Sequence, residues 1–172
     1  MKKPLLIALL LFSTVFIACA HGRKTTRKKA STKTAATAGL RGLTSVMMRR
    51  GACFGRCPEY TISINSNGLI EYNGTRNATP LGVYEKNVGA AKAQALLKKF
   101  MDYHADTCKS LYTSLIADMP GLSYTLVING KTQVIGNAHF GPRFLVDLSD
   151  EVDELGKVDD SWKKIRDVPA GQ

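Results

Sequence analysis

A chain of 172 residues has room for one domain with accessory segments, and its formal charge of +10 invites a nucleic-acid-binding reading. The distribution of that charge argues against it. Residues 1–50 carry eleven Lys and Arg with no Asp or Glu, whereas residues 51–172 carry thirteen against fourteen. The basic excess belongs to the N-terminal leader and tether, the rest is near neutral, and no nucleic-acid partner is expected.

Met1-Lys2-Lys3 forms a short positive region, followed by a nearly unbroken apolar run from Leu5 to Ile17. Thirteen residues are too few for a helix crossing a bilayer, which needs about 20. The pattern is that of a secretory signal peptide over residues 1–18. Phe16-Ile17-Ala18-Cys19 resembles a lipobox, in which the cysteine after a small residue becomes the lipidated N-terminus. The competing reading is an ordinary cleavage site with Cys19 or His21 incidental. Lipidation of Cys19 is the expectation taken, with the membrane as a partner through covalent acyl chains whose burial anchors the protein stably.

Residues 19–42 read as a lipidated, basic, disordered tether, because Lys, Arg, Thr and Ala dominate and large apolar residues are nearly absent. Its seven basic residues from Arg23 to Arg41 can contact anionic lipid headgroups or a cell-wall polymer. Alternatively the segment is only a soluble spacer. By analogy with lipoproteins in which acidic residues after the lipidated cysteine mark export to the surface, Ala20-His21-Gly22-Arg23-Lys24 implies the inner leaflet of the outer membrane, facing the periplasm.

The domain is expected over residues 43–156. Short strands are predicted at Leu43–Arg50 and Gly82–Val88. Tyr60-Thr61-Ile62-Ser63-Ile64-Asn65 recurs in kind as Tyr124-Thr125-Leu126-Val127-Ile128-Asn129. Each segment leads through a polar turn (Asn65 to Gly68, and Asn129-Gly130) into a second strand, the signature of a β-hairpin. Val127 standing where Ser63 does suggests that the second hairpin is the more buried. A helix is predicted from about Gly89 to Tyr103 with Ala93, Leu96, Leu97 and Phe100 on one face. A second starts near Pro142, carries Leu145, Leu148, Val152 and Leu155, and ends at Gly156 as a C-cap. Asp147, Asp150, Glu151, Asp153 and Glu154 form its opposite face, read as solvated. The fold class expected is α+β, an antiparallel sheet built from two ββα units with helices packed on one face. Residues 157–172 read as a polar tail in which Trp162 and Ile165 can dock.

With Cys19 lipidated, Cys53, Cys57 and Cys108 remain, an odd number in a compartment that permits disulfides. Cys53-Phe54-Gly55-Arg56-Cys57-Pro58 admits three readings. The pair can be a disulfide bracing the strand that follows. It can be a redox-active dithiol with Arg56 favouring the Cys57 thiolate. It can bind a soft metal, copper, completed by His104 or His139. Cys–His nucleophilic catalysis would also need one of those histidines within hydrogen-bond reach of a thiol. No Ser nucleophile elbow, HExxH or glycine-rich phosphate loop is present. Asp118, in Asp118-Met119-Pro120-Gly121, reads as a turn former.

Arg49, the block Cys53-Phe54-Gly55-Arg56-Cys57-Pro58-Glu59-Tyr60, then Ile62, Ile64, Gly68, Tyr72-Asn73-Gly74, Asp118-Met119-Pro120 and Gly141-Pro142 together resemble a family of Bacteroidota lipoproteins, that of the domain of unknown function numbered 6438. The resemblance implies an envelope lipoprotein and supplies no activity, substrate or partner. The function expected is therefore a non-catalytic binding or structural module paired with another envelope protein, with exposed Tyr72 and Arg76 as its contact surface and no cofactor. The alternative is a periplasmic thiol-redox or copper-binding protein using Cys53 and Cys57.

Overall fold

The computed structural model describes residues 39–114 and 118–168. The expected signal peptide, Cys19 and the expected tether up to residue 38 lie outside the described residues. Seven strands form one antiparallel sheet: β1 (Leu43–Arg50), β2 (Glu59–Asn65), β3 (Leu69–Arg76), β4 (Gly82–Asn87), β5 (Leu122–Ile128), β6 (Lys131–Ile135) and β7 (Lys163–Arg166). Two helices accompany them, α1 (Ala90–Asp102) and α2 (Phe144–Gly156). The spatial order is β6-β5-β1-β2-β3-β4-β7.

This corrects the expected fold class. The protein is mostly β, a single continuous sheet with two helices, not an α+β assembly of two ββα units. Both predicted hairpins exist, but β1 lies between them, pairing with β2 on one side and β5 on the other. The first hairpin continues through β4, and β7 closes that edge by pairing with β4. No repeat boundary survives, since the pairings that define the sheet run between the supposed units.

Strand alternation gives the sheet one apolar face. Val46 lies between Ile64 and Leu126, and Met48 between Ile62 and Tyr124. Ile62 in turn pairs with Tyr72 and Ile64 with Ile70. All of these are buried. Successive side chains point to opposite faces, so this register puts one row of apolar groups under both helices. Ala93, Leu96, Leu97, Phe100 and Met101 of α1 and Leu145, Leu148 and Val152 of α2 complete that core. Phe100 meets Tyr124 edge-on at 5.3 Å between ring centroids, and the Tyr124 hydroxyl donates to the Leu145 carbonyl at 2.6 Å. The second hairpin is the more exposed of the two, because β6 is a sheet edge with Lys131, Thr132 and Val134 open to solvent.

Turn chemistry follows the residues. Asn129 and Gly130 both have positive φ (51° and 75°), the pair of conformations that a two-residue hairpin turn demands. In the first hairpin only Gly68 does (φ 100°), closing a longer loop through its N–H to the Asn65 carbonyl at 2.9 Å. A Cβ at Gly68 would also meet the Gly89 backbone at 2.5 Å, so this turn packs directly on the start of α1. Gly156 is not a left-handed cap; α2 ends there without positive φ. Its value is space, since a Cβ would lie 2.5 Å from Ile62 Cδ1. Gly156→Ala should therefore cost about 1.5 kcal/mol by overpacking, read as a lower urea midpoint at unchanged slope.

Candidate functional site

The antiparallel topology gathers chemistry at one end of the sheet. β1 ends there, β2 begins, β3 ends, β4 begins and β5 begins. Three connections therefore meet: residues 51–58, 77–81 and 118–121. Residues 39–42, which lead into β1, lie at the opposite end.

Cys53 and Cys57 are joined as a disulfide, with Cα atoms 5.6 Å apart. The loop they close is fastened by its neighbours. Gly51 N donates to the Gly121 carbonyl at 2.8 Å and Gly121 N to the Ala52 carbonyl at 3.3 Å. These two glycines pass so closely that a Cβ on Gly121 would stand 3.3 Å from Gly51 Cα. Asp118 Oδ1 accepts the Phe54 N–H at 3.0 Å, which gives this turn former a second duty, and Asn77 Nδ2 donates to the Cys57 carbonyl at 3.4 Å. The result is a pinned loop that holds Phe54 in solvent with 94% of its surface exposed. Unpaired thiols here are limited to Cys108 among the described residues, half-buried under Tyr112.

Beside the loop, on the helix side of the sheet, lies a groove of about 670 Å³. Pro58, Tyr60, Asn77 and Thr79 line one wall, and Asp150, Asp153, Glu154 and Lys157 the other. A polar network underlies it. Arg50, at the end of β1, donates through Nη2 to Asp153 Oδ2 at 2.7 Å and to Ser149 Oγ at 2.9 Å. The Tyr60 hydroxyl donates to Asp153 Oδ1 at 2.7 Å, and Ser149 Oγ donates to the Val146 carbonyl at 2.6 Å. Burial works against the Arg50 charge, but the Asp153 hydrogen bond and then the Asp153 and Tyr60 charges outweigh it and hold its pKa above the usual value. Burial pushes the Tyr60 hydroxyl well above the ordinary tyrosine range, the Asp153 hydrogen bond and charge add to that, and Arg50 pulls the other way.

The network corrects the reading of the acidic helix face. Asp147, Asp150, Glu151 and Glu154 are exposed, but Asp153 turns inward to Arg50 and Tyr60. The exposure expected of Tyr72 is corrected as well. Tyr72 is buried, with 6% of its surface exposed, because it shares the core face with Ile70 and stacks on Tyr60 at 5.6 Å. Arg76 is exposed and its Nε pairs with Glu59 Oε1 at 2.5 Å.

The two histidines stand in different places. His104 follows α1, has φ 58°, and lies 3.4 Å through Nδ1 from Arg41 Nη1, at the far end of β1 from the disulfide. His139 sits in the short turn Ala138–Phe140, beside Pro120 and Gly121. Burial lowers its pKa, the nearby Arg50 charge adds to this, and a backbone hydrogen bond at Pro120 opposes it. The structure thus does not bring His104 and the cysteine pair together. Among the described residues no group of three or more His, Cys, Asp or Glu side chains is placed to hold a metal ion. The geometry offers a loop tip closed by the disulfide and a groove with aromatic and carboxylate walls.

A titration follows from the tyrosines. Burial first, then the charges of Asp153 and Tyr84, raise Tyr72 to about 12. Burial also raises Tyr124, although Arg50 and Ser149 oppose it. The unfolded chain releases tyrosine protons from about pH 10, while the folded chain keeps those of Tyr60, Tyr72 and Tyr124. Stability is therefore complete below pH 10 and falls as pH climbs toward 12. Part of the tyrosinate absorbance should rise only together with loss of the far-ultraviolet circular dichroism in that window; ionisation of all six tyrosines at pH 10 with the fold intact would contradict the burial of these hydroxyls.

No curated protein and no solved structure matches the chain. A family model does, over residues 44–156, the span that contains the pinned loop, the groove apart from Lys157 and Val158, and all of the sheet except β7 and the first residue of β1. On that match the chain belongs to the family described as Domain of unknown function (DUF6438).

Proposed function

We propose that this protein is a bacterial envelope lipoprotein, exported by residues 1–18, anchored through a lipid on Cys19 and spaced by a basic segment, whose domain is a non-catalytic binding module for another envelope protein. The observation that carries the reading is the disulfide-closed loop beside an open groove. Its disulfide agrees with an oxidising compartment, and it engages both thiols that a copper-handling role would use. The groove has the volume of a real binding cleft, with a few polar groups converging on an aromatic wall. Its rim carries Asp150, Glu154 and Lys157, all exposed.

The test is site-directed photo-crosslinking from position 157 of the full chain in its native envelope. We expect one discrete adduct, lost when Glu154→Arg reverses the charge on the rim while the melting curve stays unchanged. An absent adduct, or one indifferent to that reversal, overturns the groove as the binding surface.

A further inference from the structure

The outermost strand β7 has no buried face, since Lys163, Lys164, Ile165 and Arg166 are all exposed. Its pairing with β4 covers Val83, Tyr84 and Glu85 and is interrupted by a register shift between the first two. Just before it, Trp162 packs on the core with 8% of its surface exposed. Lys86 of β4 reaches over this ring, its Nζ 5.9 Å from the centroid and 3.3 Å from Asp159 Oδ2. What β7 covers is different in kind. β4 is six residues long and pairs with β3 along its whole length. Without β7 its outer N–H and C=O groups would stand open at the end of the sheet, a template for strand addition.

The side chains say which strand fits there. Tyr60 stacks on Tyr72 at 5.6 Å, and Tyr72 meets Tyr84 at 6.4 Å, so a series of tyrosine rings runs out to β4. β7 ends that series by setting Lys164 opposite Tyr84, and it sets Lys163 opposite Glu85. A second copy of β4 would continue it. Antiparallel pairing about a two-fold axis at Tyr84 puts Tyr84 against Tyr84 of the second copy, Val83 against Glu85 and Gly82 against Lys86. No like charges are opposed, and aromatic pairs directly across strands are favourable. We propose that residues 157–166 are a strap that guards the β4 edge, and that the partner this edge fits when the strap is off is the same edge of a second copy. The contact is isologous and closes at two copies. With the strap on, the outer edge is β7, short and basic, which resists strand addition. The inference does not rest on the groove.

The experiment compares wild type with Lys164→Pro, both full-length and isolated in the same mild detergent. Proline removes one N–H and fixes the backbone within β7, so the strap leaves the edge. We expect the wild type to sediment as a monomer throughout, and the variant to reach twice that mass when concentrated. Amide exchange at residues 82–87 of the variant should be fast when dilute and slow when concentrated. Adding Tyr84→Lys, which opposes two cations at the centre of the contact, should return the variant to a monomer. A folded variant that exchanges fast at 82–87 and stays monomeric overturns the proposal, as does a wild type that associates equally. Association that leaves 82–87 fast, or that survives Tyr84→Lys, overturns it by placing the contact elsewhere. If Lys164→Pro does not fold, or keeps 82–87 slow when dilute, Lys163→Glu takes its place and sets a carboxylate opposite Glu85. Unfolding or slow exchange in that chain too would make β7 an integral part of the fold and overturn its role as a guard.

Discussion

Asp153→Ala should lower the unfolding free energy by about 3 kcal/mol, the lower edge of what removing one partner of a buried ion pair costs. Asp153 receives Arg50 Nη2 on one oxygen and the Tyr60 hydroxyl on the other, both at 2.7 Å. Alanine would leave a largely buried guanidinium with the neutral Ser149 Oγ and, as its nearest carboxylate, the exposed Asp150 at 3.8 Å, and would take the acceptor from the Tyr60 phenol. Asp153→Asn keeps one acceptor but no charge, and should fall between wild type and alanine. Urea denaturation followed by circular dichroism measures both. A loss below about 1 kcal/mol for the alanine variant would place this pair in the class of surface ion pairs.

The second large effect concerns the loop. Replacing Cys53 and Cys57 together by alanine should cost about 2 kcal/mol, from the chain entropy released when a five-residue closure is removed. The same loss should appear in the wild-type protein under strong reductant, and the double variant should ignore reductant altogether. The stability change understates the consequence. Once the covalent brace is gone, Phe54 is held by its N–H to Asp118, and the loop by the Gly51–Gly121 contacts and the Asn77 bond. Proteolysis should then cut between Cys53 and Cys57 faster than in the oxidised protein. Equal stability and equal proteolysis in the two forms would remove the structural role of the disulfide.

Much of the local structure is written in short-range signals. Asn129-Gly130 dictates its own turn, and Ala93, Leu96, Leu97 and Phe100 mark the buried side of α1 by spacing alone. The arrangement of strands is different. Nothing in the residues of β1 announces that it divides the two hairpins, because pairing order is decided by contacts between strands distant in sequence. β7 gave no apolar signal, since Lys163, Lys164, Ile165 and Arg166 are all exposed and the strand exists through pairing with β4. That missing order is why two ββα units were expected and one mostly β sheet is found.

The site was legible in part for the same reason. The cysteine pair is four residues apart and announces its loop. The groove depends on Arg50 meeting Asp153 across 103 residues, and within a run of carboxylates no local feature singles out Asp153. Tyr72 was the avoidable miss. Ile70, Tyr72 and Gly74 alternate on one side of β3, and that period alone puts the tyrosine on the core face.

The most direct test of the account is mass spectrometry of peptides from the protein extracted from its native envelope, with free thiols blocked and without reduction. The account predicts a mature chain beginning at an acylated Cys19, together with Cys53 and Cys57 recovered as one linked peptide that survives mild reductant. A chain carrying an unmodified Cys19, or Cys53 and Cys57 recovered as blocked thiols, would contradict it.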